Sequence, residues 1–240
     1  MTEPEAGLGG VVARAIPIVA LDVDSAEAAL ALATSLRGSC TFFKVGSELF
    51  TAAGPDVVRA LRGELGADVF LDLKFHDIPN TVAGAVRSAV GLGARLLTVH
   101  ASGGSAMLDA ARSAAGDACG VLAVTALTSL EAGALAAAWG RTDALSVEGE
   151  VLRLAGLAAD ARLHGIVCSG GEAAAVRARF GDRLALLVPG IRLAGGDAHD
   201  QRRVMTPAAA QAAGARYLIL GRAVTAAPDP AEAMGRGFAV

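Results

Sequence analysis

Cysteines and aromatic residues are scarce in this chain. Only three cysteines occur among 240 residues, at Cys40, Cys119 and Cys168, and aromatic residues make up 4% of the sequence. The cysteines form no CxxC motif and no cluster with histidine, so the sequence indicates buried, reduced thiols rather than a metal or redox site. The apolar fraction of 53% is still large enough for a sizeable core. Much of it is alanine, which suits close packing of helices on a sheet.

The chain also lacks basic runs and long uncharged apolar stretches. Its net charge is −3, which gives no sign of a general nucleic-acid binder. No apolar stretch reaches the roughly 18–20 residues of a membrane span. Residues 1–10 lack the basic and apolar regions of a signal peptide. We therefore expect a cytoplasmic protein that binds neither nucleic acid nor a membrane.

Short apolar runs of the β type recur at fairly regular intervals. Most are almost continuously hydrophobic, as parallel strands are when both faces of their sheet are covered. The sequence predicts eight strands, at residues 16–21, 42–45, 69–73, 96–99, 121–126, 165–168, 184–188 and 217–220. Amphipathic segments that predict helices follow them, at residues 25–36, 55–65, 81–90, 105–115, 147–162, 171–179, 206–213 and 229–234.

Eight strands alternating with eight helices predict an α/β fold, a single (β/α)8 TIM barrel domain over residues 1–240. Residues 1–14 are a candidate flexible N-terminal extension. A doubly wound open sheet is the alternative, but no GxGxxG motif follows the first strand. Residues 129–144 are predicted to be irregular. Core packing is the default expectation for Trp139 within them, and packing of this stretch over the barrel rim or a partner is the alternative.

Polar residues gather where the predicted strands end. In chain order they are Asp22, Lys44, Asp72, Lys74, His100, Thr125 and Thr128. Segments that contain glycine and arginine follow the seventh and eighth strands. Because the carboxyl ends of the strands form the catalytic face of a TIM barrel, the sequence predicts an active site there.

Asp72 and Lys74 are two positions apart, so on a strand their side chains point to the same face. Such a pair is either a salt bridge or a reaction centre. Because Asp22 and Lys44 end neighbouring strands, alternating carboxylates and ammoniums would compensate one another's charge. That arrangement would hold a lysine protonated and fixed in direction, as a general acid must be. The sequence therefore favours the reaction centre.

Two loops carry the residue types that phosphate binding requires. One reads Pro189-Gly190-Ile191-Arg192 and continues to Gly195-Gly196, and the other begins Gly221-Arg222. In (β/α)8 enzymes these loops commonly bind phosphate, because glycine admits backbone N–H groups and arginine offers paired donors. The glycine pair also gives the first loop freedom to close over a ligand. The alternative is that the glycines only cap strands and the arginines are solvated.

With these residues in view, the chain closely resembles the bacterial orotidine 5′-phosphate decarboxylase family over nearly its whole length. The most specific motif is Leu71-Asp72-Leu73-Lys74-Phe75-His76-Asp77-Ile78-Pro79-Asn80-Thr81-Val82. Shorter motifs occur in the family's order and spacing, among them Ala20-Leu21-Asp22, Phe43-Lys44-Val45-Gly46, Val99-His100-Ala101-Ser102-Gly103-Gly104, Pro189-Gly190-Ile191-Arg192, Asp200-Gln201 and Gly221-Arg222.

The resemblance implies decarboxylation of orotidine 5′-monophosphate to uridine 5′-monophosphate in pyrimidine biosynthesis, with no metal and no organic cofactor. It makes Lys74 the proton donor to C6 of the pyrimidine and sets Asp72 against the departing carboxylate. Lys44 and Asp77 would complete a charged tetrad. Asp77 would reach the site from the partner chain of a homodimer.

The resemblance also implies the residues that bind the substrate. They are Asp22, Lys44, Asp72, Ile78, Thr81, Thr128, Arg192, Gln201, Gly221 and Arg222. Asp22 and Lys44 would contact the ribose hydroxyls, and Thr81 would do so from the partner chain. Thr128 would lie near the pyrimidine. The last four residues of the set would hold the phosphate, with Gln201 on the closing loop.

Two other functions stay open at this point. A sugar-phosphate decarboxylase of the 3-keto-L-gulonate 6-phosphate type resembles this chain in its Asp-x-Lys-x-x-Asp motif and uses magnesium, although residues 189–192 and 200–201 argue against it. A barrel without catalytic activity could bind a nucleotide as a sensor or scaffold, although the complete charged tetrad argues against that.

Overall fold

Eight parallel strands pair in chain order, and the eighth pairs with the first to close a barrel. The computed structural model describes residues 14–142, 145–192 and 205–237. The predicted (β/α)8 TIM barrel is confirmed, and the open doubly wound sheet is excluded because β1 and β8 share a ladder. The expected N-terminal extension at residues 1–14 lies, apart from Arg14, outside the described residues.

Each strand predicted from the sequence overlaps a strand of the barrel. Their bounds are β1 Ile16–Ala20, β2 Phe42–Gly46, β3 Asp68–Phe75, β4 Leu96–His100, β5 Gly120–Val124, β6 Gly165–Val167, β7 Ala185–Val188 and β8 Tyr217–Leu220. The continuous apolar runs become strands that are covered on both faces, by the barrel interior on one side and the helices on the other.

Within the described residues, the helices comprise the eight that the sequence predicts and three more. Their bounds are α1 Ala26–Ser35, α2 Ser47–Ala53, α3 Asp56–Leu65, α4 Pro79–Gly91, α5 Ser105–Ala115, α6 Ala132–Ala138, α7 Val147–Asp160, α8 Gly170–Phe180, α9 Pro207–Ala212, α10 Arg222–Thr225 and α11 Pro230–Gly237. Helices α2, α6 and α10 were not predicted. They span four to seven residues, which is too short for a clear helical period.

The prediction for residues 129–144 was wrong in two respects. Helix α6 occupies part of this segment, which was expected to be irregular. Trp139 directly follows α6, and 37% of its surface is exposed, so it does not pack in the core as expected. A single large apolar side chain at a protein surface is common.

The buried apolar residues in the described part of the chain form two clusters. The smaller one fills the barrel interior and consists of Ile18, Ala20, Phe42, Phe70, Leu96, Leu122, Leu187, Tyr217 and Ile219. The larger one lies between the strands and the helices. Successive residues of a strand alternate between the two: Leu96 joins the interior cluster, whereas Leu97 joins the outer one.

The three cysteines are buried and are not joined by a disulfide, as expected from the sequence. Burial raises the pKa of the Cys119 thiol to about 12 and raises that of Cys40 as well. Both thiols are therefore protonated near neutral pH and unreactive. Among the described residues, no helix is long and apolar enough to cross a membrane.

Close approach of two strands explains Gly165, the first residue of β6. A Cβ added there would lie 2.0 Å from the carbonyl oxygen of Ala185 on β7, and 3.0 Å from its Cα. Both contacts are with backbone that the β6–β7 ladder holds in place, so a side chain at this position would push the strands apart.

We therefore predict that Gly165→Ala lowers the free energy of unfolding by about 1–3 kcal/mol. The matched control is Gly156→Ala inside α7, where an added Cβ meets no atom within 4 Å. That change should raise the free energy of unfolding by about 0.5–1 kcal/mol, because alanine has the higher helix propensity. Urea unfolding measures both values. Equal midpoints for Gly165→Ala and the wild type would contradict the prediction.

Candidate active site

A cavity of about 280 Å³ opens among the carboxyl ends of the strands. This volume is close to the lower end of the roughly 300–1,000 Å³ of small-molecule sites. Eight residues predicted from the sequence line it: Asp22, Lys44, Asp72, Lys74, Thr128, Arg192, Gly221 and Arg222. The barrel therefore brings together side chains that are up to 200 positions apart in the chain.

The first charged pair joins the ends of β1 and β2. Lys44 Nζ donates to Asp22 Oδ1 at 2.7 Å. The Lys44 side chain is 12% exposed, whereas that of Asp22 is 58% exposed, so the lysine is the more enclosed member. Gly46 keeps this corner open, because a Cβ there would lie 3.0 Å from Lys44 Nζ.

The second charged pair comes from β3 alone. Lys74 Nζ donates to Asp72 Oδ2 at 2.8 Å. The Asp72 side chain is 15% exposed and that of Lys74 is 38% exposed. The carboxylate is thus largely withdrawn from solvent, while the ammonium remains open to the cavity. The two lysines and two aspartates of the cavity form neutral pairs.

Strand β3 departs from regular pairing at this pair. Leu71 pairs with Leu97 and Phe75 with Val99 on β4, so three residues of β3 lie opposite Thr98 alone. Lys74 also has a φ of 51°, a left-handed conformation that costs a residue with a Cβ roughly 1–2 kcal/mol. Such irregularities occur next to active sites, where they redirect a side chain.

Thr98 links the two members of the pair beneath the cavity, and the sequence reasoning missed it. Its Oγ1 accepts a hydrogen bond from the backbone N–H of Lys74 at 2.9 Å. The same hydroxyl donates to Asp72 Oδ1 at 2.9 Å. Both carboxylate oxygens of Asp72 are therefore engaged, one by Thr98 and one by the Lys74 ammonium. A lone polar residue in the apolar run of β4, two before His100, was the available signal.

Two histidines lie beside the second pair. The rings of His76 and His100 are 5.3 Å apart between centroids. Burial lowers the pKa of His100, and the charges of His76 and Lys74 lower it further, while Asp72 opposes them. His100 is therefore neutral near pH 7 and adds no second positive charge next to Lys74.

Apolar residues also line the cavity. They are Ala20, Phe70, Val124, Ala126, Leu127, Val167, Leu187 and Ile219. Thr128 lies beside them, after β5. A flat ring with polar edges fits such a surface, because its faces contact carbon while its edges reach the polar groups around it.

Glycine and arginine from the ends of β7 and β8 complete the lining. Gly190 has a φ of 78°, which glycine adopts readily. Its carbonyl accepts from Met205 N at 3.3 Å, and Arg192 N donates to Met205 O at 2.9 Å, so this edge of the cavity has a fixed backbone. Arg222 begins α10, directly after Gly221. Two arginines that line the same cavity suit a phosphate.

Three predicted residues do not reach the cavity of their own chain. Asp77, Ile78 and Thr81 lie beyond β3, at the start of α4, and all three are exposed. Asp77 Oδ1 accepts from Ile78 N at 2.6 Å, and Ile78 is 67% exposed. A single chain therefore brings together two charged pairs, without Asp77.

Gln201 and the Gly195-Gly196 pair lie outside the described residues. Among the residues that are described, no three histidine, cysteine, aspartate or glutamate side chains are grouped closely enough to hold a metal ion.

The arrangement has a defined chemical capacity. An anionic group of a ligand would contact the arginines that follow β7 and β8. Another part of the same ligand would contact the Lys74 ammonium, whose position is fixed. Lys74 can stabilise developing negative charge and donate a proton there.

Known proteins share this barrel and much of its sequence. Residues 16–236 match the family described as Orotidine 5′-phosphate decarboxylase / HUMPS family. A relative named orotidine 5′-phosphate decarboxylase, from Paramagnetospirillum magneticum, is 50% identical over 227 residues, 91% of this chain and 94% of the relative. Another of that name, from an Anaeromyxobacter species, is 52% identical over 218 residues, 89% of this chain and 92% of the relative.

A solved structure agrees with these relatives. The crystal structure of orotidine 5′-phosphate decarboxylase from Lactobacillus acidophilus matches with a TM-score of 0.79 and 35% sequence identity, over 92% of this chain and 96% of that one. Because the family match spans the whole barrel and relatives about 50% identical cover nine tenths of the chain, this chain belongs to the orotidine 5′-phosphate decarboxylase / HUMPS family.

Proposed function

We propose that this chain decarboxylates orotidine 5′-monophosphate to uridine 5′-monophosphate, with Lys74 as the proton donor to C6. One observation supports this above all: Lys74 Nζ lies 2.8 Å from Asp72 Oδ2, in a cavity that Arg192 and Arg222 also line. The two curated relatives described above carry the name of this activity and are about 50% identical to the chain.

The substrate spans the cavity in the proposed complex. Arg192 and Arg222 bind the phosphate with Gly221, whose missing side chain lets backbone N–H groups approach. The ribose hydroxyls contact the pair formed by Asp22 and Lys44. The pyrimidine lies on the apolar surface, and its C6 carboxylate points toward the second charged pair.

The reaction then requires one proton and no oxidant or reductant. The bond from C6 to the carboxylate breaks, carbon dioxide leaves, and the electron pair stays on C6. Lys74 stabilises this carbanion and transfers a proton from Nζ to C6, which gives uridine 5′-monophosphate and a neutral lysine. Asp72 fixes the direction of the ammonium, and it repels the substrate carboxylate until carbon dioxide has left.

A homodimer completes the site in this proposal. Asp77, Ile78 and Thr81 are exposed beside the barrel mouth rather than turned toward their own cavity. Placed against a second copy, they supply a third carboxylate and contacts to the ribose. Each cavity then contains Lys44, Asp72 and Lys74 from one chain and Asp77 from the other.

Replacing Lys74 by alanine tests the proton donor. Carbon dioxide release from orotidine 5′-monophosphate should fall at least about 10³-fold, because both the proton and the charge beside C6 are lost. The affinity for uridine 5′-monophosphate, measured by calorimetry, should stay within about threefold, because the product carries no developing charge at C6. Near-normal turnover by this variant would refute the assignment of Lys74.

The same assay separates the two other functions. Carbon dioxide release by the wild type should be unchanged in excess EDTA. A requirement for added Mg²⁺ would favour the sugar-phosphate type of decarboxylase. Binding of uridine 5′-monophosphate without any carbon dioxide release would favour a barrel without catalytic activity.

Replacing Arg222 by alanine tests phosphate binding. For orotidine 5′-monophosphate, kcat/KM should fall about 10–100-fold, since charge-assisted hydrogen bonds to the phosphate are lost. For orotidine, which has no phosphate, the variant and the wild type should be equal. The matched control is Arg183→Ala, at a surface arginine 3.8 Å from Asp160 and away from the cavity. An equal loss with both substrates would show that Arg222 does not act through the phosphate.

Mixed dimers test the shared site. Lys74→Ala and Asp77→Ala chains are each expected to be inactive as homodimers. A purified heterodimer with one tag on each chain should have about half the wild-type activity, because one of its two sites contains no substitution. A heterodimer as inactive as its parents would mean that Asp77 acts within its own barrel. Full activity of Asp77→Ala alone would remove Asp77 from the site.

A further inference from the structure

Thr98 is a polar residue in the apolar interior of the barrel. It lies on β4 between Leu97 and Val99, both of which face the helices, so its own side chain faces inward. It is 0% exposed, so it does not touch a substrate in the cavity. A buried hydroxyl is retained at little cost only when its hydrogen bonds are made.

Both hydrogen bonds of the hydroxyl go to the reacting pair. The Lys74 N–H can only donate and the Asp72 carboxylate can only accept, so the direction of each bond is fixed. The hydroxyl therefore bridges the backbone of one partner and the side chain of the other. Its proton points at Asp72 Oδ1, which leaves Oδ2 for the Lys74 ammonium.

The bridge lies where the pairing of β3 with β4 is irregular. Three residues of β3, Lys74 among them, lie opposite Thr98 alone on β4. The Lys74 N–H donates there to the Thr98 hydroxyl. The hydroxyl therefore supplies the acceptor for a backbone group of a residue in the left-handed conformation.

We propose that Thr98 is a positioning residue for catalysis, which holds the Asp72 carboxylate and the backbone of Lys74 in the orientation that aims the ammonium at C6. This inference rests on the proposed function, in which Lys74 is the proton donor. Thr98 acts through its two partners and contacts no reacting atom.

A matched pair of variants isolates the hydroxyl. Thr98→Ser keeps the hydroxyl and loses the methyl group, whereas Thr98→Ala loses both. The kcat of Thr98→Ala should be about 10–100-fold below that of Thr98→Ser, as found when a group that orients a reacting side chain is removed. Thr98→Ser should remain within about threefold of the wild type, since the bridge can still form.

The division between kcat and KM separates positioning from loss of structure. The KM and the affinity for uridine 5′-monophosphate should change little in Thr98→Ala, because the groups proposed to bind ribose and phosphate lie on other strands. A general loss of structure would weaken binding as well. Thr98→Val, which keeps the shape of threonine without its hydroxyl, should show the same loss of kcat as Thr98→Ala.

Thr125→Val is the control for removing a buried threonine hydroxyl. Thr125 is 4% exposed, and its hydroxyl donates to Val167 O at 2.8 Å rather than to the charged pair. Its variant should lose some stability and keep the wild-type kcat.

The outcomes distinguish this inference from the proposed function. Equal kcat values for Thr98→Ala and Thr98→Ser, or equal losses in Thr98→Val and Thr125→Val, would overturn the role of Thr98. If Lys74→Ala remained inactive in that case, the proposed function would stand. Near-normal turnover by Lys74→Ala would remove the proposed function and this inference together.

Discussion

The reacting end of the cavity depends on one departure from regular β structure, the place where β3 leaves register with β4. Beyond Leu71 the pairing of the two strands is irregular, and the Lys74 N–H donates to the Thr98 hydroxyl. The left-handed backbone conformation of Lys74 has a local free-energy cost, and the packing of the strands on either side offsets it. In return, Asp72 and Lys74 meet at 2.8 Å with the ammonium still open to the cavity.

Charge balance determines what this cavity can bind. Withdrawing the Asp72 carboxylate from water is unfavourable unless each oxygen finds a donor, and the Lys74 ammonium and the Thr98 hydroxyl provide them. In the proposed mechanism the substrate adds two more negative groups. Its phosphate meets arginine, whereas its carboxylate meets Asp72 and is repelled. Binding energy gained far from the reacting bond therefore offsets strain at that bond, and the strain is relieved when carbon dioxide leaves.

The sequence predicted the structural features that depend on residue order and missed those that depend on how two strands pair. Apolar runs predicted the eight strands. The rule that TIM-barrel sites lie at carboxyl strand ends grouped Asp22, Lys44 and Arg222, and these three residues line one cavity. The bulge in β3 was not predictable, because register is a property of two strands and no local pattern marks it. Thr98 was missed for the same reason: its hydroxyl meets Lys74 and Asp72 only through the pairing of β3 with β4. Helices α2, α6 and α10 were too short to give a period.

The side chains of the motif at residues 71–81 face two different sides of the molecule, because β3 ends within the motif. Up to Lys74 the chain follows the barrel, and its polar side chains face the cavity; beyond Phe75 it turns outward, and Asp77 and Ile78 are exposed. An apolar side chain that is 67% exposed becomes favourable to bury once another surface covers it. In the proposed dimer the contact that covers Ile78 also brings Asp77 to the other chain's cavity. Burial of apolar surface then supplies the free energy for placing the Asp77 carboxylate near two lysines that are already paired. Association of the two chains and completion of the site are therefore a single event.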